Sequence, residues 1–352
     1  MKLGIAGYPQ VGKKTLFKLL TGQVINEQRG NRQGLAPVSD PRFDRLVSLY
    51  HPQKETLAVV EFELLPDLDE DANRNAEALR ALENVDAICH VVRAFSDEAV
   101  YHISGSVDAS RDAQRFAEEL QFNDLVFIDK RLERLAREQK SKKDERGQQE
   151  QTLLERMKVH LESSISLADF SFSYDDEKLL SSYPLLTRKA VIHIVNVDEE
   201  DLQNEGLVVS LQKGLNEPSH VFIAASAQIE EELAELDADE RRAFLDDLGL
   251  QQTALERLTA LCYATLGLIS FFTVGEDEAR AWTIRAQSLA PQAGRAIHSD
   301  IERGFIRAEI MAYADLIELG SEEKVKSAGK FMQKGRDYTV SDGDIIHFLF
   351  KV

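Results

Sequence analysis

A short segment near the start of the chain has the residue types and spacing of a phosphate-binding loop. Gly7-Tyr8-Pro9-Gln10-Val11-Gly12-Lys13 fits the pattern G-x-x-x-x-G-K, and Lys14 and Thr15 follow it. In such a loop the glycines and backbone N–H groups surround the phosphates and the lysine contacts them, whereas a Ser or Thr after the lysine binds Mg²⁺. Lys14 occupies that last position. The segment predicts phosphate binding with one of the usual magnesium ligands replaced.

A second set of polar residues follows two apolar runs further along the chain. Asn196-Val197-Asp198-Glu199 comes directly after one run, and Ser226-Ala227 comes directly after the next. Guanine-nucleotide-binding proteins have N-K-x-D at the first place, where the Asp accepts hydrogen bonds from guanine. Glu199 is one methylene longer and does not meet the guanine edge in the same way. We predict base contacts from Asn196, Glu199, Ser226 and Ala227.

The strands and helices around these residues are predicted to form an α/β fold. Continuous apolar strands are predicted over 2–6, 87–92, 190–195 and 220–225, and helical patterns lie between them. This alternation is typical of a parallel sheet covered on both faces. The phosphate loop lies between the first strand and a helix with Leu16, Phe17 and Leu20 on its apolar face. Residues 1–123 and 187–266 are therefore predicted to form one P-loop sheet domain.

Residues 124–186 are predicted to form a helical hairpin inserted into that domain. Leucines and a methionine supply the apolar seams, and the polar break lies near Gly147. Within residues 130–146, four acidic residues are interspersed among eight basic ones. The basic residues are Lys130, Arg131, Arg134, Arg137, Lys140, Lys142, Lys143 and Arg146. Such a stretch favours contact with RNA phosphates, and the alternative is a solvated helix of mixed charge.

Residues 267–352 read as a separate small α+β domain. Short β-like runs at 270–273, 281–284, 338–340 and 345–350 surround one helix near 290–301. Asp342-Gly343-Asp344 marks a tight turn before the last strand.

The composition indicates a globular protein without a membrane span. The chain has 352 residues and a net charge of −19, so nucleic acid would be contacted only through a local basic patch. Cys89 and Cys262 lie far apart in apolar stretches, which fits a reducing compartment. No apolar run approaches the ~18 residues of a membrane helix, and the N-terminus lacks a signal-peptide pattern. We expect a cytoplasmic protein, and nothing in the sequence requires more than a monomer.

The motifs together resemble the Obg-like ATPase family, often called YchF, along nearly the whole chain. The resemblance rests on the phosphate loop, on Asn196–Glu199 and on several further segments. These are Pro37–Arg42, His90–Arg93, Val107-Asp108, Lys130–Glu133, Arg280–Thr283, Ala290–Ala293, Gly304–Glu309, Ala328–Lys330 and Asp342–His347. It implies a preference for ATP through N-x-x-E and an association with the ribosome. It also implies three parts: a sheet ATPase domain, a helical hairpin and a C-terminal β-grasp (TGS) domain.

The chain departs from the family pattern at three places associated with Mg²⁺. Lys14 stands where the family has Ser. The first switch lacks its Thr, and Gln28 falls nearest that place. The strand-end motif D-x-x-G is replaced by Leu64-Leu65-Pro66-Asp67, and the following Gly-rich second switch by the acidic segment 67–71.

These departures predict an ATP-binding protein that hydrolyses ATP slowly or not at all, because phosphoryl transfer depends on the metal ion. One hypothesis is that the Lys14 ammonium takes the charge role of Mg²⁺ and permits metal-independent binding; otherwise Lys14 points into solvent. A second hypothesis is an active ATPase whose metal is held by Glu63 or Asp67. A third is a binding scaffold that takes no nucleotide. The hairpin and the TGS domain would supply the ribosome- or RNA-binding surface.

Overall fold

The computed structural model describes residues 1–23, 32–69, 71, 74–141 and 144–351. In chain order the strands are β1 Lys2–Ala6, β2 Gln33–Pro37, β3 Lys54–Thr56, β4 Val59–Leu64, β5 Ala87–Arg93, β6 Val191–Asn196, β7 His220–Ala225, β8 Leu268–Thr273, β9 Glu278–Arg285, β10 Phe305–Ala312, β11 Met332–Lys334 and β12 Asp344–Phe350. The α-helices are α1 Lys13–Thr21, α2 Pro41–Tyr50, α3 Ala76–Glu83, α4 Ala109–Ser141, α5 Glu145–Glu162, α6 Tyr174–Leu180, α7 Glu205–Leu215, α8 Ala227–Glu235, α9 Ala238–Asp247, α10 Ala254–Thr265, α11 Ala290–Ile297, α12 Ser299–Gly304, α13 Tyr313–Leu319 and α14 Glu322–Ser327. None of the helices in the described ranges is long and apolar enough to cross a membrane.

The first compact unit comprises residues 1–34 and 61–255. Its sheet has the strand order β2-β4-β1-β5-β6-β7, and β4, β1, β5, β6 and β7 run parallel to one another. Every residue of β5 and β6 is buried, as continuous apolar strands in the middle of a parallel sheet require. The predicted α/β P-loop fold is confirmed. The carboxyl ends of β1, β5, β6 and β7 share one edge of the sheet, where ligands bind in such folds.

The long helix α4 begins at Ala109, earlier than the insert predicted to start at 124. Its first half packs on the sheet, where the ring of Phe116 stacks on His90 with centroids 4.0 Å apart. Its second half pairs with α5 around a separate apolar cluster that includes Leu135, Leu154 and Met157. α5 begins at Glu145 after the cap Asp144, so the turn precedes Gly147.

The second compact unit comprises residues 35–60 and 256–352. Its mixed sheet has the order β11-β10-β12-β8-β9-β3, with β12 parallel to β8 and antiparallel to β10. Helix α11 buries Ala290 and Ala293 against the apolar cluster of this sheet, which gives the predicted β-grasp arrangement. The run 338–340 forms only the bridge Leu289–Thr339, whereas β10 and β11 were not predicted.

Residues 35–60 group with the C-terminal unit, whereas the sequence placed them within 1–123. Three sets of contacts explain this difference. β3 pairs with β9 in parallel, the rings of Phe43 and Phe272 have centroids 6.1 Å apart, and Arg42 Nη1 lies 2.8 Å from Asp342 Oδ2. These partners are separated by more than two hundred residues in the chain, so local patterns do not reveal them.

Candidate nucleotide-binding site

The phosphate loop has the backbone conformation that its glycines permit. It joins the end of β1 at Ala6 to the start of α1 at Lys13. Gly7 and Gly12 have φ values of 145° and 98°. A Cβ at Gly7 would lie 2.5 Å from the Val91 carbonyl oxygen, and one at Gly12 would lie 2.4 Å from Asn196 Nδ2. Both positions therefore require glycine, for backbone conformation and for space.

Lys13 is buried beneath this loop, with 4% of its surface exposed. Its Nζ donates to the Gly7 carbonyl at 2.5 Å and forms an ion pair with Asp67 Oδ1 at 2.6 Å. Burial lowers the pKa of Lys13, Asp67 acts in the opposite direction, and the charges of Lys14 and Arg32 lower it further. The lysine of the motif is thus in place, and an anion already contacts it.

Asn196 joins the phosphate loop to the predicted base loop. Its Nδ2 donates to the Val11 carbonyl at 3.0 Å, and its Oδ1 accepts from the backbone N–H of Ala227 at 3.0 Å. Asn196 lies at the end of β6 and is buried, so both hydrogen bonds form away from water. The side chain holds the phosphate loop and the predicted base loop at a fixed spacing.

A cavity of about 820 Å³ opens in front of these segments. It brings together most of the residues predicted from the sequence: Pro9, Gln10, Gly12, Lys13, Lys14, Thr15, Asn196, Ser226 and Ala227. Gly7, Tyr8 and Val11 lie behind the lining and shape the loop. The volume is that of a site for a ligand of nucleotide size.

Glu199 is not brought to this cavity. It is exposed and begins a short 3₁₀ helix, Glu199–Asp201. The preceding Asp198 lines the cavity instead, and its Oδ2 accepts from the backbone N–H of Ser96 at 3.0 Å. Of these two neighbouring acidic residues, only Asp198 therefore lines the cavity.

Residues 95–100 form a wall of the cavity that was not predicted from the sequence. Arg93, which is 2% exposed, organises this loop by donating to the carbonyl oxygens of Phe95, Asp97 and Val100 at 3.2, 3.0 and 2.8 Å. Its guanidinium also lies 4.4 Å from the centroid of the Phe95 ring. The sequence feature that could have predicted this wall is an arginine at the carboxyl end of a buried strand, followed closely by an aromatic residue.

The residues that replace the magnesium ligands have definite positions where the structure describes them. Leu64 is buried at the end of β4, Lys14 is exposed on the cavity wall, and Asp67 contacts Lys13. Glu63, one of the two proposed substitute ligands, pairs with Lys2 Nζ at 2.9 Å and does not line the cavity. Gln28 and Glu70 lie outside the described residues. Among the described residues, no group of three or more His, Cys, Asp or Glu side chains is placed to hold a metal ion.

The basic hairpin residues are partly paired with acids. Arg131 Nε contacts Glu150 at 2.5 Å, Arg134 Nε contacts Glu138 at 2.8 Å, and Arg137 Nη2 contacts Glu133 at 3.4 Å. Arg134 and Arg137 nevertheless keep 72% and 80% of their side chains exposed, and Lys130 and Arg146 are exposed as well. Lys142 and Lys143 lie outside the described residues, as does the side chain of Lys140.

Comparison with known proteins gives matches along the whole chain. Residues 268–351 match the family model YchF-GTPase_C, described as a protein of unknown function (DUF933). The chain is 36% identical to the ribosome-binding ATPase YchF of Bacillus subtilis, with 99% of both chains covered. It is also 36% identical to Obg-like ATPase 1 of Oryza sativa subsp. japonica, covering 100% of this chain and 92% of that one.

The fold matches a solved structure to the same extent. The YchF GTPase of Schizosaccharomyces pombe superimposes with a TM-score of 0.84 at 31% identity, covering 99% of this chain and 97% of that one. The fold, the phosphate loop and the sequence identity therefore all indicate the same family. The chain belongs to the YchF family of Obg-like ATPases.

Proposed function

We propose that this protein binds ATP in preference to GTP, hydrolyses it slowly or not at all, and acts as a factor at the ribosome. The observation that carries the proposal is the intact phosphate loop tied by Asn196 to the base loop, combined with replaced magnesium ligands beside it. Lys13 and Lys14 lie in the first turn of α1, where the helix dipole disfavours cations. A bound phosphate offsets that cost, because helix N-termini attract anions.

The preference against GTP follows from the position of Glu199. Guanine recognition uses a carboxylate three residues after the asparagine, and this carboxylate is exposed outside the cavity lining. Guanine therefore gains no hydrogen bond from Glu199, and GTP lacks the advantage that this contact gives it in guanine-nucleotide-binding proteins. Asn196, Ser226 and Ala227 then define the base end, whereas residues 7–15 define the phosphate end.

Slow hydrolysis follows from the groups that surround the phosphate end. Leu64 offers no oxygen ligand, and Lys14 offers a positive charge in place of a hydroxyl. An exposed ammonium at that place can neutralise phosphate charge but cannot coordinate a metal ion. The competing hypothesis of an active ATPase with a rearranged metal site now depends on Asp67, since Glu63 is paired with Lys2.

Nucleotide-dependent stabilisation tests the binding and base preference. ATP at about 100 times its Kd should raise the free energy of unfolding by about 2.7 kcal/mol. GTP at the same concentration should stabilise less, and Lys13→Ala should reduce the response to ATP. Equal stabilisation by GTP contradicts the base preference. Phosphate release at a steady rate that requires Mg²⁺ supports the active ATPase instead.

The ribosomal role rests on the exposed basic side chains of the α4–α5 hairpin and on the names of relatives such as the ribosome-binding ATPase of Bacillus subtilis. A factor at the ribosome works in the cytoplasm. Contacts with RNA phosphates make the logarithm of the affinity fall with the logarithm of salt concentration.

Co-sedimentation with ribosomes at increasing salt tests this role. Combined reversal of Lys130, Arg134 and Arg137 to Glu should weaken binding and flatten the salt dependence. Arg242→Glu is a control for charge reversal on another element, because Arg242 is exposed on α9. Binding that is unaffected by the hairpin reversals would assign the contact to another surface.

A further inference from the structure

The phosphate-contacting lysine already has an anionic partner from its own chain. Lys13 Nζ lies 2.6 Å from Asp67 Oδ1, and the lysine is 4% exposed. The lysine of this loop type reaches the β- and γ-phosphates of a bound nucleotide. A carboxylate in contact with the same ammonium stands where a terminal phosphate oxygen would otherwise be placed.

Backbone hydrogen bonds on both sides of Asp67 fix its position. The N–H of Leu65 donates to the Ile5 carbonyl at 3.0 Å, and the N–H of Leu68 donates to the Gly7 carbonyl at 3.1 Å. Leu65 and Leu68 are both 3% exposed, so their side chains anchor the segment in the core. Withdrawing the carboxylate from Lys13 therefore requires either rotation of the Asp67 side chain or movement of an anchored backbone.

The charges lining the cavity disfavour a third phosphate. The lining carries five carboxylates, at Asp67, Asp97, Glu98, Asp198 and Glu231, and two lysines, Lys13 and Lys14. Arg32 adds a positive charge close enough to lower the pKa of Lys13. A γ-phosphate would lie close to the negative charge of Asp67. A β-phosphate would instead accept hydrogen bonds from the loop N–H groups and the N-terminus of α1.

We infer that Asp67 takes the place of the terminal phosphate, so that the site binds a nucleoside diphosphate more tightly than the triphosphate. The inference rests on the proposed nucleotide-binding function and names the phosphate class that the site selects. Asp67 is then a specificity-determining residue, and the nucleotide state that the protein senses is the diphosphate.

Calorimetric titration of ADP and ATP in EDTA tests this inference. The wild-type protein should bind ADP about tenfold more tightly than ATP, a difference of about 1.4 kcal/mol. Asp67→Asn, which keeps the side-chain volume and removes the charge, should raise ATP affinity about tenfold and ADP affinity much less. Asp67→Ser should do the same if charge, not the new amide, is responsible. Glu98→Gln removes a lining carboxylate outside the Lys13 ion pair and should change the ADP-to-ATP ratio far less than Asp67→Asn does.

The possible outcomes separate this inference from the proposed function. If ATP binds at least as tightly as ADP and the Asp67 variants change neither, the inference is overturned and nucleotide binding stands. If added Mg²⁺ strengthens ATP binding only when Asp67 is intact, Asp67 is a metal ligand and the inference is again overturned. If no nucleotide binds the wild-type protein or any variant, both fail. If the Asp67 variants bind nucleotide and the wild-type protein binds none, the inference is also overturned, because the carboxylate then excludes the diphosphate as well.

Discussion

Asn196 shows how much of the site depends on a single amide. Its two polar atoms bridge the Val11 carbonyl and the Ala227 N–H, which belong to segments far apart in the chain. Both partners are backbone groups in a buried region, so neither finds water if the side chain is removed. Asn196 therefore stabilises the site even before any nucleotide binds.

Asn196→Ala is expected to lower the free energy of unfolding by about 2 kcal/mol, because it leaves a buried carbonyl and a buried N–H unsatisfied. Urea denaturation measures this change. Asn84→Ala is the control, since exposed Asn84 makes one local hydrogen bond to the Arg80 carbonyl. That control should stay within about 0.5 kcal/mol of the wild type. Equal effects of the two substitutions would contradict the bridging role.

The sequence predicted the residues of this site better than their roles. The glycines and Lys13 were identified by their spacing between a predicted strand and a predicted helix. Asn196 was expected to contact the base, which stays a prediction, and in the structure its amide makes two hydrogen bonds to backbone groups. Glu199 was expected beside the base, yet a 3₁₀ helix beginning at that residue leaves it exposed. Side-chain direction at a strand end depends on the following turn, which spacing does not specify.

Three buried histidines form a line of side-chain contacts across strands β5, β6 and β7. His90 Nδ1 lies 3.0 Å from His193 Nδ1, and His193 Nε2 lies 2.9 Å from His220 Nδ1. His220 Nε2 continues the line to Glu217 Oε2 at 3.6 Å. Burial lowers the pKa of His90 to about 3 and that of His220 to about 4, and it lowers the pKa of His193 well below its usual value. The folded protein therefore keeps all three rings neutral.

This cluster predicts a loss of stability in acid. Unfolded histidines take up protons near pH 6.5 and the folded ones do not, so stability falls as pH drops below 6.5, by about 2 kcal/mol for each histidine at pH 5. Glu217 acts in the opposite direction, because burial raises its pKa to about 7 and the folded state holds its proton. The net loss between pH 7 and 5 should be about 3 kcal/mol, measured by denaturation at each pH.

Glu217→Gln removes the opposing contribution and should make the acid loss steeper. His298→Gln is the control for removing an exposed histidine, since His298 is 66% exposed. A flat stability profile between pH 7 and 5 in the wild type would mean that the histidines are not neutral in the fold.

Helix α4 is tied to the segment after the hairpin by Asp124, which is fully buried. Its carboxylate accepts from the N–H groups of Leu186 and Thr187 at 2.9 and 2.8 Å and from the Thr187 hydroxyl at 2.7 Å. Asp124→Ala should lower the free energy of unfolding by about 3 kcal/mol, because two buried N–H groups lose their acceptor. Asp129→Ala on the same helix removes only an exposed pair with Lys158 and should cost less than about 1 kcal/mol. Similar losses in the two variants would show that Asp124 does not hold the base of the hairpin.

The parallel sheet could be predicted from the sequence, whereas the assignment of residues to the two compact units could not. Strands β5 and β6 are apolar at nearly every position, and a buried parallel sheet accepts little else. β10, by contrast, alternates burial irregularly and exists through its pairing with β12 and β11. Residues 35–60 are assigned by contacts with the distant C-terminal segment, such as the pairing of β3 with β9. Local periodicity carries no information about such partners.

Lys14 stands in place of a usual magnesium ligand at the phosphate loop, so we expect the loop to bind ATP without a metal ion. Calorimetric titration of ATP in excess EDTA and again with Mg²⁺ measures this, with Lys14→Ser as the companion variant. The expected result is the same ATP affinity in both conditions, no phosphate release, and weaker binding in EDTA once the Lys14 ammonium is removed. ATP binding that appears only with Mg²⁺, or that improves in Lys14→Ser, would contradict it.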